Sequence, residues 1–237
     1  MNNTVPVEAL GTNPTPEQQA LDILRRGIAR AAGPVALACS FSVEDVVIID
    51  LLREVAPEVR IFAIDTGRLN EETFEVAESL SMRYGIHFDW YFPERAAVEK
   101  LEREKGLFSF RESLDNRHEC CRIRKVEPLQ RALAGLSGWI TGLRREQSIT
   151  RKDLNSITID ETNGGLLKIN PLFDWNEAQV WDYANSRRLP VNRLHRQGYP
   201  SIGCAPCTRA IEPGEHARAG RWWWENPEHK ECGLHKR

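Results

Sequence analysis

The fold of this chain is decided by the stretch Val35-Ala36-Leu37-Ala38-Cys39-Ser40-Phe41-Ser42-Val43-Glu44-Asp45. Its first five residues form a short apolar run, which is typical of a strand buried on both faces of a sheet. A turn with two serines follows, and helical spacing continues through Val46, Ile49 and Leu52. The stretch therefore predicts a buried strand that passes through a polar turn into a helix.

The same alternation of strand and helix extends to both sides of this unit. Before it, Thr15-Pro16-Glu17-Gln18 predicts a helix start, with a threonine cap, a proline in the first turn and a glutamine that closes a capping box. After it, we expect strands over 59–64, 87–92, 139–142 and 167–169, and helices over about 70–84, 94–104 and 174–186. The pattern predicts an α/β fold, with a mostly parallel sheet and helices on both faces.

The length and the composition bound the class of protein. The chain has 237 residues, with 32 basic against 34 acidic side chains, and lacks the basic excess of a nucleic-acid binder. No apolar run approaches the roughly 20 residues of a membrane helix, and residues 1–6 lack the parts of a signal peptide. We expect a cytosolic protein without nucleic-acid or membrane partners. Its parts would be a loose leader (1–14), one α/β domain (15–212) and a functional tail (213–237).

Polar residues follow three of the predicted strands, at Ser40–Asp45, Asp65–Leu69 and Thr141–Ser148. Ligands of open α/β sheets sit beyond the carboxyl ends of the strands, and amides at a helix start hold anions. Each stretch also has a simpler explanation, as a helix cap, a turn or a solvated pair of arginines. Because all three fall at one edge of one sheet, together they favour a phosphate-bearing ligand.

Four of the six cysteines occur in two pairs, Cys120-Cys121 and Cys204-Ala205-Pro206-Cys207. In a reducing compartment they are more easily understood as a metal site than as disulfides. Four thiolates suit either a tetrahedral zinc ion or a [4Fe-4S] cluster. Adjacent side chains diverge, which favours the larger cluster over one small ion. A thioredoxin-like redox site at the second pair lacks its usual place at the start of a helix after a first strand.

The two remaining cysteines have different surroundings. Cys39 lies in the apolar strand and is most simply a buried small residue. Cys232 lies near the end of the chain among Lys230, Lys236 and Arg237, and these charges favour the nucleophilic thiolate. The alternative for Cys232 is an incidental terminal thiol.

Several motifs resemble the iron–sulfur branch of the assimilatory adenylylsulfate (APS) reductases. They are Cys-Cys-Arg-Ile-Arg-Lys from Cys120, Trp-Ile-Thr-Gly-Leu-Arg-Arg-Glu-Gln-Ser from Trp139, Gly-Cys-Ala-Pro-Cys from Gly203, Arg-Ala-Gly-Arg-Trp-Trp-Trp-Glu from Arg218 and Glu-Cys-Gly-Leu-His from Glu231. The resemblance runs from about residue 34 to the end of the chain. The related phosphoadenylylsulfate (PAPS) reductases typically keep the last motif and lack both cysteine pairs.

This resemblance implies an adenine-nucleotide α-hydrolase fold and thioredoxin-dependent reduction of APS to sulfite and AMP. A [4Fe-4S] cluster would be held by Cys120, Cys121, Cys204 and Cys207, and Cys232 would be the catalytic nucleophile. Phosphate and sulfate would meet Lys125, Arg218, Arg221 and His235. The nucleotide pocket would be lined by Ser40, Asp65, Gly67, Arg68, Arg144 and Gln147. Thioredoxin, or a glutaredoxin-like reductant, would be the partner, and we expect a homo-oligomer.

One departure from the superfamily concerns the loop after the first strand. The pyrophosphatase loop reads Ser-Gly-Gly-x-Asp-Ser, whereas Ser40-Phe41-Ser42-Val43-Glu44-Asp45 has no glycine. Bulky Phe41 and Val43 limit the approach of the backbone to a phosphate, which fits a ligand with one nucleotide phosphate. We expect the three tryptophans at 222–224 to dock the tail on the domain, leaving Arg218 and Arg221 for the ligand.

Three other functions compete with this interpretation. A PAPS reductase would use the same chemistry with a pocket for the 3′-phosphate. A nucleotide-activating sulfur-transfer enzyme acting on RNA would share the fold but would need a basic surface. A non-catalytic metal-bearing redox sensor would keep the two cysteine pairs and would not need Cys232.

Overall fold

The computed structural model describes residues 14–147 and 151–226. The strands in this part of the chain are β1 (Val35–Cys39), β2 (Arg60–Ile64), β3 (Asp89–Tyr91), β4 (Gly138–Ile140), β5 (Ile157–Asp160) and β6 (Leu166–Ile169). They form one six-stranded sheet in the order β3-β2-β1-β4-β6-β5. Neighbouring strands run parallel, except that β5 is antiparallel to β6 at one edge. The predicted α/β fold with a mostly parallel sheet is confirmed.

Helices cover both faces of this sheet. They are α1 (Pro16–Ala31), α2 (Val43–Val55), α3 (Glu71–Tyr84), α4 (Arg95–Lys105), α5 (Leu114–Cys121), α6 (Glu127–Leu133) and α7 (Glu177–Ser186). The predicted capping box of α1 is present: the Gln18 amide N–H donates to the Thr15 hydroxyl, and the Thr15 amide N–H donates to the Gln18 side chain. Among the described helices, none combines the length and the apolar character that crossing a bilayer requires.

The position of β1, covered on both faces of the sheet, explains why its sequence is apolar without interruption. Val35, Leu37 and Cys39 belong to the main core with α1, α2 and α7, whereas Ala36 belongs to a second core with α6. Successive side chains of a strand point to opposite faces, so a strand covered on both faces needs apolar residues at every position.

The sequence patterns missed three elements. Strand β5 is short and lies at the edge, and the only signal for it is the alternation of Ile157 and Ile159 with polar residues. Helices α5 and α6 are separated by a π-helical turn over Arg122–Val126, which breaks the regular 3.6-residue spacing. Ser113, whose hydroxyl accepts a hydrogen bond from the Asn116 amide, was the available signal for α5.

The segment around the three tryptophans docks against the domain. The Trp222 amide N–H donates to the Cys207 carbonyl over 3.1 Å, and the Arg209 amide N–H donates to the Gly220 carbonyl over 3.0 Å. The Trp222 side chain is 1% exposed. The predicted docking role of Trp222 is therefore confirmed, whereas Trp223 remains 38% exposed.

Candidate functional site

The strand order places a crevice between β1 and β4. The chain proceeds from β1 to β2 and β3 on one side, and β4 then pairs with the other side of β1. Such a reversal opens a ligand crevice beyond the carboxyl ends of the two strands. A cavity of about 310 Å³ lies here, within the usual range for small-molecule sites, and Ser40, Thr141 and Gly142 line it. We call this cavity the nucleotide pocket, after the ligand that the sequence leads us to expect there.

Two buried carboxylates, Glu44 and Asp45, form one part of the lining, which we call the acidic wall. Arg144 donates from Nε to Glu44 over 2.9 Å, and its Nη2 lies 2.9 Å from the same oxygen. Gln147 donates to that oxygen as well, also over 2.9 Å. Arg144 and Gln147 therefore line the pocket with their polar groups bonded to Glu44, and their contacts with a nucleotide stay predictions.

Asp45 is held by the turn that precedes its helix. One carboxylate oxygen accepts both the Ser40 amide N–H and the Ser40 hydroxyl, each over 2.7 Å. Burial raises the pKa of Asp45 to about 6, although the bonds from Ser40 act in the opposite direction. Ser42 makes no side-chain cap to α2, so capping does not explain this serine.

Phe41 and Gly142 fix the shape of this turn. Phe41 has a φ of 62°, in the left-handed region that non-glycine residues seldom adopt. It is 2% exposed, and its ring stacks on Trp90 with centroids 5.5 Å apart. A Cβ atom on Gly142 would lie 2.5 Å from the Asp45 carboxylate. Aromatic packing thus holds the strained turn, and a glycine allows β4 to approach it.

The turn after β2 contributes less to the pocket than predicted. The Gly67 amide N–H donates to the Asp65 carboxylate over 2.7 Å, and neither residue is among those that line the pocket. Arg68 binds Glu102 over 2.9 Å and lines a neighbouring cavity. A simple turn accounts for the observed contact of Asp65. The nucleotide contacts of Asp65, Gly67 and Arg68 stay predictions.

That neighbouring cavity brings together the two cysteine pairs, and we call it the cysteine cavity. Helix α5 ends on the first pair, and a short 3₁₀ turn over Ala205–Cys207 separates the members of the second. All four thiols are buried and line the cavity: Cys120, Cys121, Cys204 and Cys207. Positively charged side chains surround them, namely Arg68, Arg117, Arg124 and Lys125.

The thiols of this cavity differ in their electrostatic surroundings. Burial and the nearby Cys204 raise the pKa of Cys207 to about 12. Burial alone would raise the pKa of Cys204 too, but Lys125, the Thr66 hydroxyl at 3.2 Å and Arg221 outweigh it and lower that pKa. Neighbouring thiols therefore help to raise the pKa values of Cys120 and Cys207, whereas nearby cations lower that of Cys204.

A second part of the nucleotide pocket is positively charged. Lys125, Arg218 and Arg221 line it, and we call these three residues the basic wall. Their contacts with phosphate and sulfate stay predictions. His216 lies beside them and was missed by the sequence analysis, although its place two residues before Arg218 was a signal. Lys125 and Cys204 line both the nucleotide pocket and the cysteine cavity. The two cavities therefore adjoin each other at these residues.

The donor set of the cysteine cavity fits a polynuclear iron–sulfur group by its chemistry. Four converging thiols among cations suit a centre that binds thiolates, which are soft ligands. Within the described residues, no group of three or more Cys, His, Asp or Glu side chains is arranged to hold a single metal ion. The zinc ion and the iron–sulfur cluster both stay predictions. Cys232 and His235 lie outside the described residues.

Buried contacts hold the basic wall against the cysteine cavity. Trp222 lines the cavity, with the Arg117 guanidinium 4.8 Å and the Arg221 guanidinium 4.7 Å from its ring centroid. Arg117 is fully buried and forms a two-point ion pair with Glu225, over 2.9 and 2.8 Å. Arg221 donates to the Ile202 carbonyl over 3.2 Å. These contacts fix the docked segment next to the cysteines.

Comparison with known proteins connects this geometry to described families. The model of the phosphoadenosine phosphosulfate reductase domain matches residues 34–210. Adenosine 5′-phosphosulfate reductase of Allochromatium vinosum is 50% identical over 226 residues, covering 95% of this chain and 88% of that protein. The crystal structure of PAPS reductase from Candida auris is similar, with a TM-score of 0.68, 28% identity, and coverage of 81% and 90% of the two chains. Candida glabrata FMN adenylyltransferase shares the fold at 15% identity, with a TM-score of 0.57 and coverage of 97% and 81%.

Proposed function

Since the chain belongs to the phosphoadenosine phosphosulfate reductase domain family, we propose that it reduces adenylylsulfate to sulfite and AMP in sulfate assimilation. One observation carries the proposal: Lys125 and Cys204 line both the nucleotide pocket and the cavity of four cysteines. A nucleotide bound at the strand ends would therefore have its sulfate beside the cysteine cavity and the cations that surround it.

Charge determines how the substrate is oriented. Adenosine lies toward the carboxyl ends of β1 and β4, and the phosphate and sulfate lie toward the basic wall. Lys125, Arg218 and Arg221 then offset the negative charge that develops on the phosphate oxygen as it leaves. Stabilisation of developing charge by preorganised groups is usually the largest contribution to catalysis.

The reaction proceeds through the terminal cysteine. The Cys232 thiolate attacks the sulfur of the sulfate, the bond from sulfur to the phosphate oxygen breaks, and AMP leaves with the electron pair. A thioredoxin thiolate then attacks the Cys232 sulfur and expels sulfite, again with the bonding pair. The second thioredoxin thiol resolves the mixed disulfide, so the dithiol is oxidised and the Cys232 thiolate returns.

The four buried cysteines would hold a [4Fe-4S] cluster. The cations around them, Arg68, Arg124 and Lys125 among others, support this proposal because they offset the charge of four thiolates. When bound, the cluster would organise the charge of the site beside Lys125. The reaction is placed in the cytosol, where thioredoxin keeps thiols reduced, and a homo-oligomer remains our expectation.

The test compares Cys232→Ser with Cys39→Ser in protein purified without oxygen. Cys39 lines the nucleotide pocket and is buried, and its pKa is raised by burial and by Asp45, so it is a pocket thiol whose nucleophilic thiolate form is disfavoured. We expect C232S to lose sulfite release by at least about 10³-fold, as for loss of a nucleophile. C39S should keep it within about threefold.

Two further measurements accompany this comparison. Mass spectrometry should detect a sulfonate on wild-type protein incubated with APS alone, and not on C232S. Turnover of APS against PAPS then separates the two reductase activities. Undiminished sulfite release by C232S would contradict the proposed mechanism and favour the redox sensor.

A further inference from the structure

The loop after β1 carries an internal anion at the place where a phosphate-binding loop leaves room for one. Aligned with Ser-Gly-Gly-x-Asp-Ser, the stretch Ser40–Asp45 has an aspartate at the position of the last serine. The carboxylate of Asp45 turns back onto the loop. It accepts hydrogen bonds from the Ser40 amide N–H and the Ser40 hydroxyl, each over 2.7 Å. Donors that would otherwise be available to an anion are therefore already bonded to one.

The surroundings of Asp45 hold this arrangement in place. Asp45 is 3% exposed, and a Cβ atom on Gly142 would meet its second oxygen at 2.5 Å. The buried Phe41, with its left-handed φ of 62°, fixes the turn between Ser40 and α2. These contacts keep the carboxylate turned toward Ser40.

Glu44 and Asp45, the two members of the acidic wall, differ in how their negative charges are compensated. Glu44 is paired with Arg144, whereas the groups that act on Asp45 are Ser40, Ser42 and the neighbouring Glu44, none of which is a cation. A phosphate brought to this loop would meet a carboxylate that forms no ion pair with the cations in the described part of the chain. Like charges in a partly desolvated site repel strongly.

We propose that Asp45 is a specificity-determining residue that excludes a further phosphate group from the loop after β1. The pocket would then accept an adenosine nucleotide whose anionic groups are all served by the basic wall. The excluded phosphate has two sources, namely the 3′-phosphate of a 3′-phosphorylated nucleotide and the terminal phosphate of a nucleoside triphosphate. This inference rests on the proposed function only in taking the pocket as a nucleotide site.

The experiment measures dissociation constants by calorimetry on the intact enzyme, purified without oxygen. The probes are two matched pairs: AMP with adenosine 3′,5′-bisphosphate, and ADP with ATP. The variants are Asp45→Ser, which restores the residue of the motif, and Asp45→Asn, which removes the charge at constant size. The control is Asp50→Asn on the same helix, because Asp50 binds Tyr84 and Tyr183 and does not line the pocket.

The quantity compared is the ratio of the two dissociation constants within each pair, so that a general effect of D45S or D45N on nucleotide binding cancels. For at least one pair, the nucleotide with the extra phosphate should gain at least tenfold in affinity over its partner. The first pair reports on the 3′-phosphate and the second on the terminal phosphate. Unchanged ratios for both pairs in both variants, or the same gain in D50N, would overturn the inference. Failure of the wild type to release sulfite from APS would count against the proposed function, and these ratios would be unaffected.

Discussion

The acidic wall and the basic wall line the same pocket, but their charges are balanced in different ways. Glu44 and Asp45 are satisfied from within the domain, by Arg144, Gln147 and Ser40. Lys125 and Arg221 act on the Cys204 thiol, and Arg218 and Arg221 belong to a segment that docks onto the cysteine pair. The acidic wall is therefore a closed structural unit, whereas the basic wall depends on the group beside it.

The difference teaches where a ligand gains its binding energy. An anion near the acidic wall meets like charge and competes with bonds already made, whereas an anion near the basic wall meets opposite charge. Substitutions in the acidic wall should thus act mainly on stability and specificity. Substitutions in the basic wall and its support should act on docking of the segment and on turnover.

The largest effect is expected where the basic wall is anchored. Trp222→Ala removes a side chain that is 1% exposed and packs among the four cysteines. We expect a loss of about 4 kcal/mol in the free energy of unfolding, as for other fully buried aromatic side chains. Urea denaturation without oxygen measures it.

The neighbouring tryptophan provides the control. Trp223 is 38% exposed, so Trp223→Ala should change the stability by less than about 1 kcal/mol. Equal losses in the two variants would show that Trp222 does not anchor the segment.

The second prediction removes Arg144, the cation that pairs with the buried Glu44 of the acidic wall. The Arg144 and Glu44 side chains are 7% and 8% exposed, so Arg144→Met leaves a buried carboxylate without its partner. A loss of about 3 to 4 kcal/mol is expected, with part of it recovered in the double variant E44Q/R144M. Thermal unfolding of the single and double variants gives the coupling. A double variant no more stable than R144M would mean that Glu44 is compensated by other groups.

The sheet and its edge could be read from the sequence, because apolar runs and capping residues are local signals. The run from Val35 to Cys39 and the capping box at Thr15 are of this kind. The adjoining cavities depend on contacts distant in the chain, such as Arg117 with Glu225 and Thr66 with Cys204. Spacing does not encode these contacts. The role of Asp45 could not be predicted for a related reason. The sequence shows that the residue is charged, but not that its carboxylate turns toward Ser40.

The pH dependence of stability gives a further measure of the acidic wall. Burial raises the pKa of Asp45 from 3.8 to about 6, so the folded protein holds this proton more tightly than the unfolded chain. This tighter proton binding stabilises the folded protein fully below about pH 4, and the stabilisation is lost as the pH rises through about 6. It amounts to about 3 kcal/mol. Asp45→Asn should remove this contribution, so the difference in stability between D45N and wild type should grow in favour of D45N from pH 4 to 6. A constant difference across that range would show that Asp45 keeps its ordinary pKa.

The smallest effect in energy is expected at Lys125, one of the residues shared by the two cavities. Lys125 lines both the nucleotide pocket and the cysteine cavity, and its charge lowers the pKa of Cys204. Lys125→Ala should reduce kcat/KM for APS by about 10²-fold, equivalent to about 2.7 kcal/mol of transition-state stabilisation. Lys100→Ala on α4, an exposed residue outside both cavities, should leave kcat/KM within twofold. If Lys125 serves the leaving phosphate, the loss will fall mainly on kcat, whereas a loss confined to KM would limit it to holding the substrate. Unchanged kcat and KM in this variant would show that Lys125 of the basic wall takes no part in the reaction.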